Sequence, residues 1–311
     1  MKILTSLFLS LTVFLVFIRF LNADEYDLHY AIERNDYKTV KKLIKKGADT
    51  DKPFYDSSTP LMAAVSAENF EIVKFLVKNG ADINKTDKYG NSPLMIASSK
   101  SNFEIAQYLM CESADVNKVN IDGKSALIHA CANAKMENVI MLLKYSSDIN
   151  AQSKSGKTPL LTAVEASSDE ISAILLNEGA LINLSDKNGI TPLIAAVKLK
   201  NKEIARLLIS KGADVNLGDS ESNTPIFYAM SAGDTDMMEY LSSEKANIDH
   251  INSLSMTPLM SAAKKGDYNT VKTLLKLGAN RKKTAPDGLT ALDYAKTFNQ
   301  PALVELLSSD K

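Results

Sequence analysis

The sequence has no excess of either charge and very few cysteines. Its 36 lysine and arginine residues nearly balance 37 acidic residues, for a formal net charge of -1. Composition therefore favours neither a nucleic-acid ligand nor an acidic solvating arm. The two cysteines, Cys111 and Cys131, are too few for a disulfide framework. A single bridge between them is one alternative, but we expect two unpaired thiols, with Cys131 a small core residue.

The sequence also lacks the motifs of common enzyme chemistry. Gly-Lys-Ser at 123–125 and Gly-Lys-Thr at 156–158 imitate the end of a phosphate-binding loop, but Lys118 and Ala151 stand where that loop requires glycine. There is no serine-hydrolase elbow, no zinc-protease helix and no credible pairing of cysteine with histidine. We therefore predict that the protein is not an enzyme and has no cofactor-binding or metal-binding residues.

The three histidines, His29, His129 and His250, are widely spaced along the chain. A linear stacked fold, for which the argument is given below, keeps them too far apart to share a metal ion. We expect each of them to be a surface residue.

The chain begins with a long apolar run. Lys2 precedes a nearly unbroken apolar stretch from Ile3 to Ile18, and the small residue Ala23 follows shortly after. This layout is typical of a secretory signal peptide, so we predict cleavage of residues 1–23 and export to a periplasmic or secreted location. The alternative is an uncleaved membrane anchor, because Ile3 to Leu21 nearly spans an apolar core of about 30 Å at about 1.5 Å per residue. A buried N-terminal helix is disfavoured, because a helix apolar on every side has no place in the fold.

A fixed period of 33 residues runs through the rest of the chain. A hydroxyl residue followed by proline or alanine recurs at Thr59, Ser92, Ser125, Thr158, Thr191, Thr224, Thr257 and Thr290. Alanine recurs at Ala31, Ala64, Ala97, Ala130, Ala163, Ala196, Ala229, Ala262 and Ala295. A period of this length without insertions indicates a stacked array of small repeats.

The repeat that begins near residue 188 shows what each position contributes. Thr191 is placed to N-cap a helix whose first residue is Pro192, and Ala196 lies where a second helix must approach closely. The apolar spacing predicts a second helix over residues 202–210, and Gly212 ends it in the left-handed conformation. Acidic pairs such as those at 169–170 and 234–236 fall at the start of second helices, where the helix dipole favours negative charge.

The stretch TPLIAAVKLKNKEIARLLISKGADVN, residues 191–216, resembles an ankyrin repeat in its TPL, AA, IARLL and GADVN segments. The resemblance covers about Asp24 to Leu307. It implies an all-α repeat fold, an ankyrin solenoid of paired antiparallel helices with short β-hairpin-like loops, over residues 24–311. The predicted repeats are 24–55, 56–88, 89–121, 122–154, 155–187, 188–220, 221–253, 254–286 and 287–311.

Three repeats depart from this pattern where the second helix ends. Ser113, Ser146 and Lys245 replace the helix-ending glycine. We expect each of these repeats either to carry a left-handed residue that costs roughly 1 kcal/mol or to end its helix differently. The middle of the array is therefore predicted to be its looser part.

The resemblance also implies where partners bind, namely on the loop tips and on the exposed, concave face of the first helices. The candidate protein-binding residues at the tips are Tyr55, Tyr89, Ile121, Ile190 and Met256. On the first helices they are Ile96, His129, Thr162, Ala195, Tyr228 and Ser261, with Leu199 and Lys265 one turn later. Amphipathic and apolar residues of this kind suit a binding groove, although scattered exposed apolar residues are also ordinary.

We therefore predict a non-enzymatic, exported, monomeric scaffold that binds a partner protein and neither nucleic acid nor a cofactor. The main alternative is a membrane-tethered adaptor in which the N-terminal segment is retained. Family resemblance more loosely suggests an accessory of a periplasmic stress or peroxide-defence enzyme, or an effector that acts on host proteins.

Overall fold

The computed structural model describes residues 28–54 and 57–309. The predicted signal peptide, residues 1–23, lies outside these ranges. Chain contacts divide the molecule into two compact halves, which we call the N-terminal half (Met1–Asp148) and the C-terminal half (Ile149–Lys311). The boundary between them falls inside the predicted repeat 122–154, so it does not coincide with a predicted repeat boundary.

Each half is a run of helix pairs, with one pair in each predicted repeat. The N-terminal half contains α1 (28–33 of the described residues), α2 (Tyr37–Lys45), α3 (Pro60–Ser66), α4 (Phe70–Lys78), α5 (Pro93–Ser98), α6 (Phe103–Cys111), α7 (Ala126–Ala132) and α8 (Met136–Lys144). The C-terminal half contains α9 (Pro159–Glu165), α10 (Asp169–Asn177), α11 (Pro192–Lys198), α12 (Lys202–Ser210), α13 (Pro225–Ser231), α14 (Thr235–Ser243), α15 (Pro258–Lys265), α16 (Tyr268–Lys276), α17 (Ala291–Thr297) and α18 (Pro301–Ser308). The all-α repeat prediction is confirmed. Within the described ranges, no helix has the length and apolar character needed to cross a bilayer.

The first helix of a repeat begins at the hydroxyl residue that the period identifies. Thr191 Oγ1 accepts a hydrogen bond from the Ile194 amide (3.2 Å), and Pro192 occupies the first helical position. This cap satisfies one of the amides that a helix start leaves without a partner. Thr224 is an exception, because its buried hydroxyl has no hydrogen-bond partner among the described residues.

The second helices follow the sequence prediction closely. Helix α12 spans Lys202–Ser210, as the apolar spacing predicted. Asp234 caps α14 by accepting a hydrogen bond from the Met237 amide (3.1 Å), and Asp169 with Glu170 lies in the first turn of α10. These acids therefore have the structural role that their position predicted.

The core of each half is built from the periodic leucines and alanines. Ala163, Ala196 and Ala229 in the C-terminal half are fully buried, and so are Leu175 and Leu208. A methyl group at the alanine positions lets neighbouring helices approach closely, and a larger side chain there would overpack the contact. The periodic residues therefore hold successive repeats together.

A second periodic contact joins the loops that follow the second helices. In the C-terminal half, Asn150 Oδ1 accepts from the Leu181 amide (2.8 Å), and Asn183 Oδ1 accepts from the Asp214 amide (3.1 Å). The same contact recurs in the N-terminal half, where Asn84 Oδ1 accepts from the Asp115 amide (2.8 Å). Each such side chain supplies an acceptor to a loop amide of the next repeat, so it fixes the register of the stack.

The three glycine replacements adopt the left-handed conformation. The φ angles of Ser113, Ser146 and Lys245 are 71°, 61° and 67°. The sequence offered two alternatives for these repeats, and the structure selects the strained backbone rather than a different helix end.

Glycine at position 245 is expected to raise the free energy of unfolding by about 0.5 to 1 kcal/mol, because it removes the left-handed penalty. The matched control is Gly212→Ala in the preceding repeat. Gly212 has φ 95°, and an added Cβ would meet nothing within 4 Å. The alanine variant therefore adds left-handed backbone strain without a steric clash. We expect a loss of about 1 kcal/mol for that variant in urea unfolding. Equal stability of Lys245→Gly and the wild type would contradict the assignment of strain.

Candidate binding surface

The N-terminal half presents an apolar cluster at two neighbouring loop tips. Tyr89 and Ile121, both predicted contact residues, are each 52% exposed, and Val119 is 50% exposed. We call these three residues the tip cluster. The Ile121 amide donates to the Tyr89 carbonyl (2.9 Å), which holds the two tips side by side. Sequence analysis missed Val119 because it lies two residues before the predicted tip.

The backbone beneath the tip cluster is held by side-chain hydrogen bonds. Asp87 Oδ1 accepts from the amides of Tyr89 and Asn91 (2.8 Å each), and Asn120 Nδ2 donates to Asn91 Oδ1 (2.8 Å). At Gly90, with φ 76°, an added Cβ would lie only 3.0 Å from the Ile121 amide nitrogen. The close approach of the two tips therefore requires glycine at this position.

In the C-terminal half, the turn at 252–256 exposes Leu254 and not Met256. Leu254 is 73% exposed, whereas Met256, a predicted contact residue, is 7% exposed and belongs to the core. The Asn252 amide donates to the Met256 carbonyl (3.2 Å), and Asn252 Oδ1 accepts from the amides of Leu254 (3.1 Å) and Met256 (3.1 Å). This closed turn leaves Leu254 at the tip. Leu254 occupies the same register as Tyr89, five periods later, so the period itself could have identified it.

Two further candidates on the first helices are buried, contrary to the prediction. Thr162 is 9% exposed, and its hydroxyl donates to the Thr158 carbonyl (2.8 Å) of its own helix. Ala195 is 4% exposed, because a single methyl group is too short to extend past α9 and α13, which both pack against α11. The sequence predicted that both side chains contact a partner protein, but neither is exposed enough to do so.

The other candidates differ in how exposed their side chains are and in whether these already form a hydrogen bond. Leu199 is 48% exposed, whereas Ile96, Ile190 and Ser261 are half-buried. Lys265 is exposed, but its Nζ donates to the Ser231 carbonyl (2.9 Å). Tyr55 lies outside the described residues, so its placement stays a prediction.

Tyr228 is half-buried and tied to a neighbouring loop. Its hydroxyl donates to Asp219 Oδ2 (2.5 Å), and Lys198 Nζ lies 6.0 Å from the ring centroid. Burial and the hydrogen bond to Asp219 raise the pKa of the tyrosine well above its ordinary value, with the negative charge of Asp219 adding to the effect. The phenol therefore stays neutral near pH 7.

The three histidines are half-buried rather than fully on the surface. Burial lowers the pKa of His129, and the charge of Lys124 acts in the same direction, so the ring is neutral near pH 7. Its Nε2 lies 3.4 Å from Asn120 Nδ2.

The other two histidines each contact a neighbouring side chain. His29 Nε2 lies 3.0 Å from Glu33 Oε1, and the His250 ring packs edge-on against Phe227 at 6.4 Å. Within the described ranges, no group of three His, Cys, Asp or Glu side chains could hold a metal ion.

Both cysteines are free thiols in different environments. Cys131 is fully buried, as predicted for a small core residue, and burial raises the pKa of its thiol. Cys111 is exposed, with its Sγ 3.1 Å from the Tyr145 hydroxyl.

The family comparison agrees with this architecture. A family model for ankyrin repeats in three copies matches residues 28–120, 112–186, 174–252 and 243–311. The chain belongs to the ankyrin-repeat family. No curated protein matches the chain. Ankyrin-repeat proteins are generally non-enzymatic modules for protein–protein interaction.

Proposed function

We propose that this ankyrin-repeat protein is an exported, non-enzymatic scaffold that binds a partner protein through its loop tips and the accessible part of its first helices. The tip cluster of Tyr89, Val119 and Ile121 is the observation that supports this proposal most directly. These three side chains are about half exposed. Large apolar and aromatic side chains grouped at the centre of a surface are the usual source of binding energy between proteins.

Pre-organisation favours this surface further. The hydrogen bonds that the side chains of Asp87, Asn91 and Asn120 form hold the tip backbone in place in the free protein. A surface that is ordered in the free protein loses little conformational entropy on binding, so more of the contact energy contributes to affinity. The partner predicted from this chemistry is a protein with a complementary apolar patch.

The double substitution Tyr89→Asp with Ile121→Asp is expected to weaken partner binding by about 30-fold or more, because it places two charges in a desolvated contact. Proteins captured by the wild-type chain from the exported fraction of its own cells would be quantified against those captured by the variant. The matched control is Leu181→Asp, which adds a charge at a side chain 55% exposed outside the tip cluster. If the double variant captures the same proteins in the same amounts as the wild type, the tip cluster is not part of the binding surface.

Export is the second part of the proposal and has its own test. It is supported by the apolar run from Ile3 to Ile18 followed by Ala23. The mature protein isolated from its native source is expected to begin at Asp24, as shown by its intact mass and N-terminal sequencing. A mature chain that retains residues 1–23 would instead support the membrane-tethered adaptor, with the same repeat surface held at a bilayer.

A further inference from the structure

Two loops of the chain contain the acceptor sequence for N-linked glycosylation, which is asparagine, any residue except proline, and then serine or threonine. It occurs as NKT at 84–86 in the N-terminal half and as NLS at 183–185 in the C-terminal half, and nowhere else in the chain. Asn84 and Asn183 lie in the loops that follow the second helices α4 and α10. Both are asparagines whose side chains join successive repeats, so the acceptor sequence lies at one register of the period.

The stack uses only the oxygen of each of these side-chain amides. Asn84 Oδ1 accepts from the Asp115 amide (2.8 Å), and Asn183 Oδ1 accepts from the Asp214 amide (3.1 Å). Nδ2 of neither asparagine donates a hydrogen bond within the described ranges. Nitrogen and oxygen are separate groups of the amide, so a sugar on Nδ2 leaves the Oδ1 lone pairs able to accept. Each asparagine can therefore carry a glycan and keep its contact with the next repeat.

Two other asparagines at the same register show the opposite arrangement. Asn117 Nδ2 donates to the Ser146 carbonyl (3.4 Å), and Asn216 Nδ2 donates to the Lys245 carbonyl (3.3 Å). Both acceptors are left-handed residues that replace the helix-ending glycine. Valine and glycine stand two positions after these asparagines, so neither has the acceptor sequence. The acceptor sequence is thus present at two positions where Nδ2 is unused and absent from two where it is used.

The loops at 84–86 and 183–185 are also accessible. Asn183 is exposed and Asn84 is half-buried, and both lie in turns outside the helices. Thr86 and Ser185 are half-buried, and the hydroxyl of neither forms a hydrogen bond with another residue that the structure describes. A glycan is bulky and hydrated, so it requires a surface loop. The complete acceptor sequence is therefore available at both positions.

We infer that Asn84 and Asn183 are N-glycosylation sites whose donor is an oligosaccharide joined to a lipid diphosphate. In the transfer, a bond forms between Nδ2 and the anomeric carbon of the first sugar, and the bond from that carbon to the lipid diphosphate breaks. Nδ2 loses one proton to a base of the transferase, and the lipid diphosphate is the leaving group. The inference rests on the proposed export, because this modification is made on secreted proteins.

Protein isolated from its native source tests the inference directly. Digestion with a peptide-N-glycosidase in water enriched in oxygen-18 releases the sugar and leaves labelled aspartate in place of each glycosylated asparagine. The label is expected at positions 84 and 183, with glycopeptides that contain the same positions in the untreated sample. Incubation in the same water without the enzyme is the control for spontaneous deamidation at Asn79 and Asn188, each of which is followed by glycine.

The same sample distinguishes this inference from the export proposal, because its N-terminal sequence is read independently. Unmodified Asn84 and Asn183 in a chain that begins at Asp24 would overturn the inference and leave export in place. Sugar at these positions in a chain that retains residues 1–23 would support the inference and favour the membrane-tethered alternative. Unmodified asparagines in an uncleaved chain would overturn both the inference and the cleavage prediction.

Substitution of the hydroxyl residues tests each site without altering the asparagine. In the native source, Thr86→Val is expected to abolish the sugar at Asn84 alone, and Ser185→Ala the sugar at Asn183 alone. The matched control Thr86→Ser retains the acceptor sequence and should keep both sugars. A sugar that persists at Asn84 in the valine variant would contradict the assignment of this site.

Hydrogen exchange tests whether the sugar and the inter-repeat contact coexist. The Asp115 and Asp214 amides are expected to exchange at the same rate in the glycosylated protein and in the double variant Thr86→Val with Ser185→Ala, because Oδ1 accepts from them in both. Faster exchange of these two amides in the glycosylated protein would show that the sugar breaks the contact, and it would overturn the geometry on which the inference depends.

Discussion

Leu208→Ala is expected to lower the free energy of unfolding by about 3 to 4 kcal/mol. Leu208 lies on the core side of α12 and is fully buried. The change removes buried methyl groups and leaves a cavity that the surrounding helices fill only in part, which in other cores costs about 2 to 5 kcal/mol. Urea unfolding followed by far-ultraviolet circular dichroism gives the value.

The matched control for this prediction is Leu199→Ala, which removes the same atoms from a side chain that is 48% exposed. We expect a change below about 0.5 kcal/mol there. Repeat arrays do not always unfold in one step, so amide hydrogen exchange should accompany the denaturation curves. Similar losses for the two leucines would mean that the periodic positions do not form the core.

The repeat architecture was predictable because the same physical requirement recurs along the chain. One threonine before one proline is weak evidence for a helix start, but the pattern repeats at a spacing of 33 residues. The resulting register placed the cap at Thr191 and the bounds of α12 as the structure has them. It also identified the alanines at which helices approach closely.

Exposure at the candidate binding surface was harder to predict, because it depends on which residue of each turn lies at the tip and on how closely neighbouring first helices pack. Met256 and Leu254 are both apolar residues of one turn, and the bonds to Asn252 decide which of them is at the tip. Thr162 is buried, and its hydroxyl is satisfied by the carbonyl of Thr158 in its own helix. Ile121 and Tyr89 were placed correctly at exposed tips, whereas their role in binding stays a prediction.

The structure also shows a departure in the repeat 89–121 that the sequence pattern did not indicate. In several other repeats the amide before the second helix donates to the carbonyl of the periodic alanine, as Asn201 does to Ala196 (3.0 Å). Among the described residues, the corresponding bond from Asn102 to Ala97 is absent, and Ser101 does not share the positive φ that Lys200 has at that register. The turn between α5 and α6 is therefore held in another way.

Asn138, which belongs to the next repeat, donates hydrogen bonds to the carbonyls of this turn. It lies on α8, is 1% exposed and stands at the register where Ile105 and Ile204 pack into the core. Its Nδ2 donates to the carbonyls of Ser98 (3.1 Å) and Lys100 (3.0 Å), with a longer contact to Ala97 (3.4 Å). These carbonyls satisfy the side-chain NH2 of this buried asparagine, whereas its Oδ1 has no hydrogen-bond partner among the described residues.

Asn138→Ala is therefore expected to lower the free energy of unfolding by about 2 kcal/mol, because it leaves the carbonyls of Ser98 and Lys100 without this donor and opens a cavity, while the removal of the unpaired Oδ1 offsets part of the loss. The loss of amide protection should be concentrated around residues 97–101. Asn138→Ile separates the two causes, since it restores the apolar volume found at Ile105 and Ile204 but not the hydrogen bonds. We expect it to recover part of the stability and none of the local protection. Full recovery of both with isoleucine would show that the turn closes as in the other repeats and that the amide of Asn138 does not hold it.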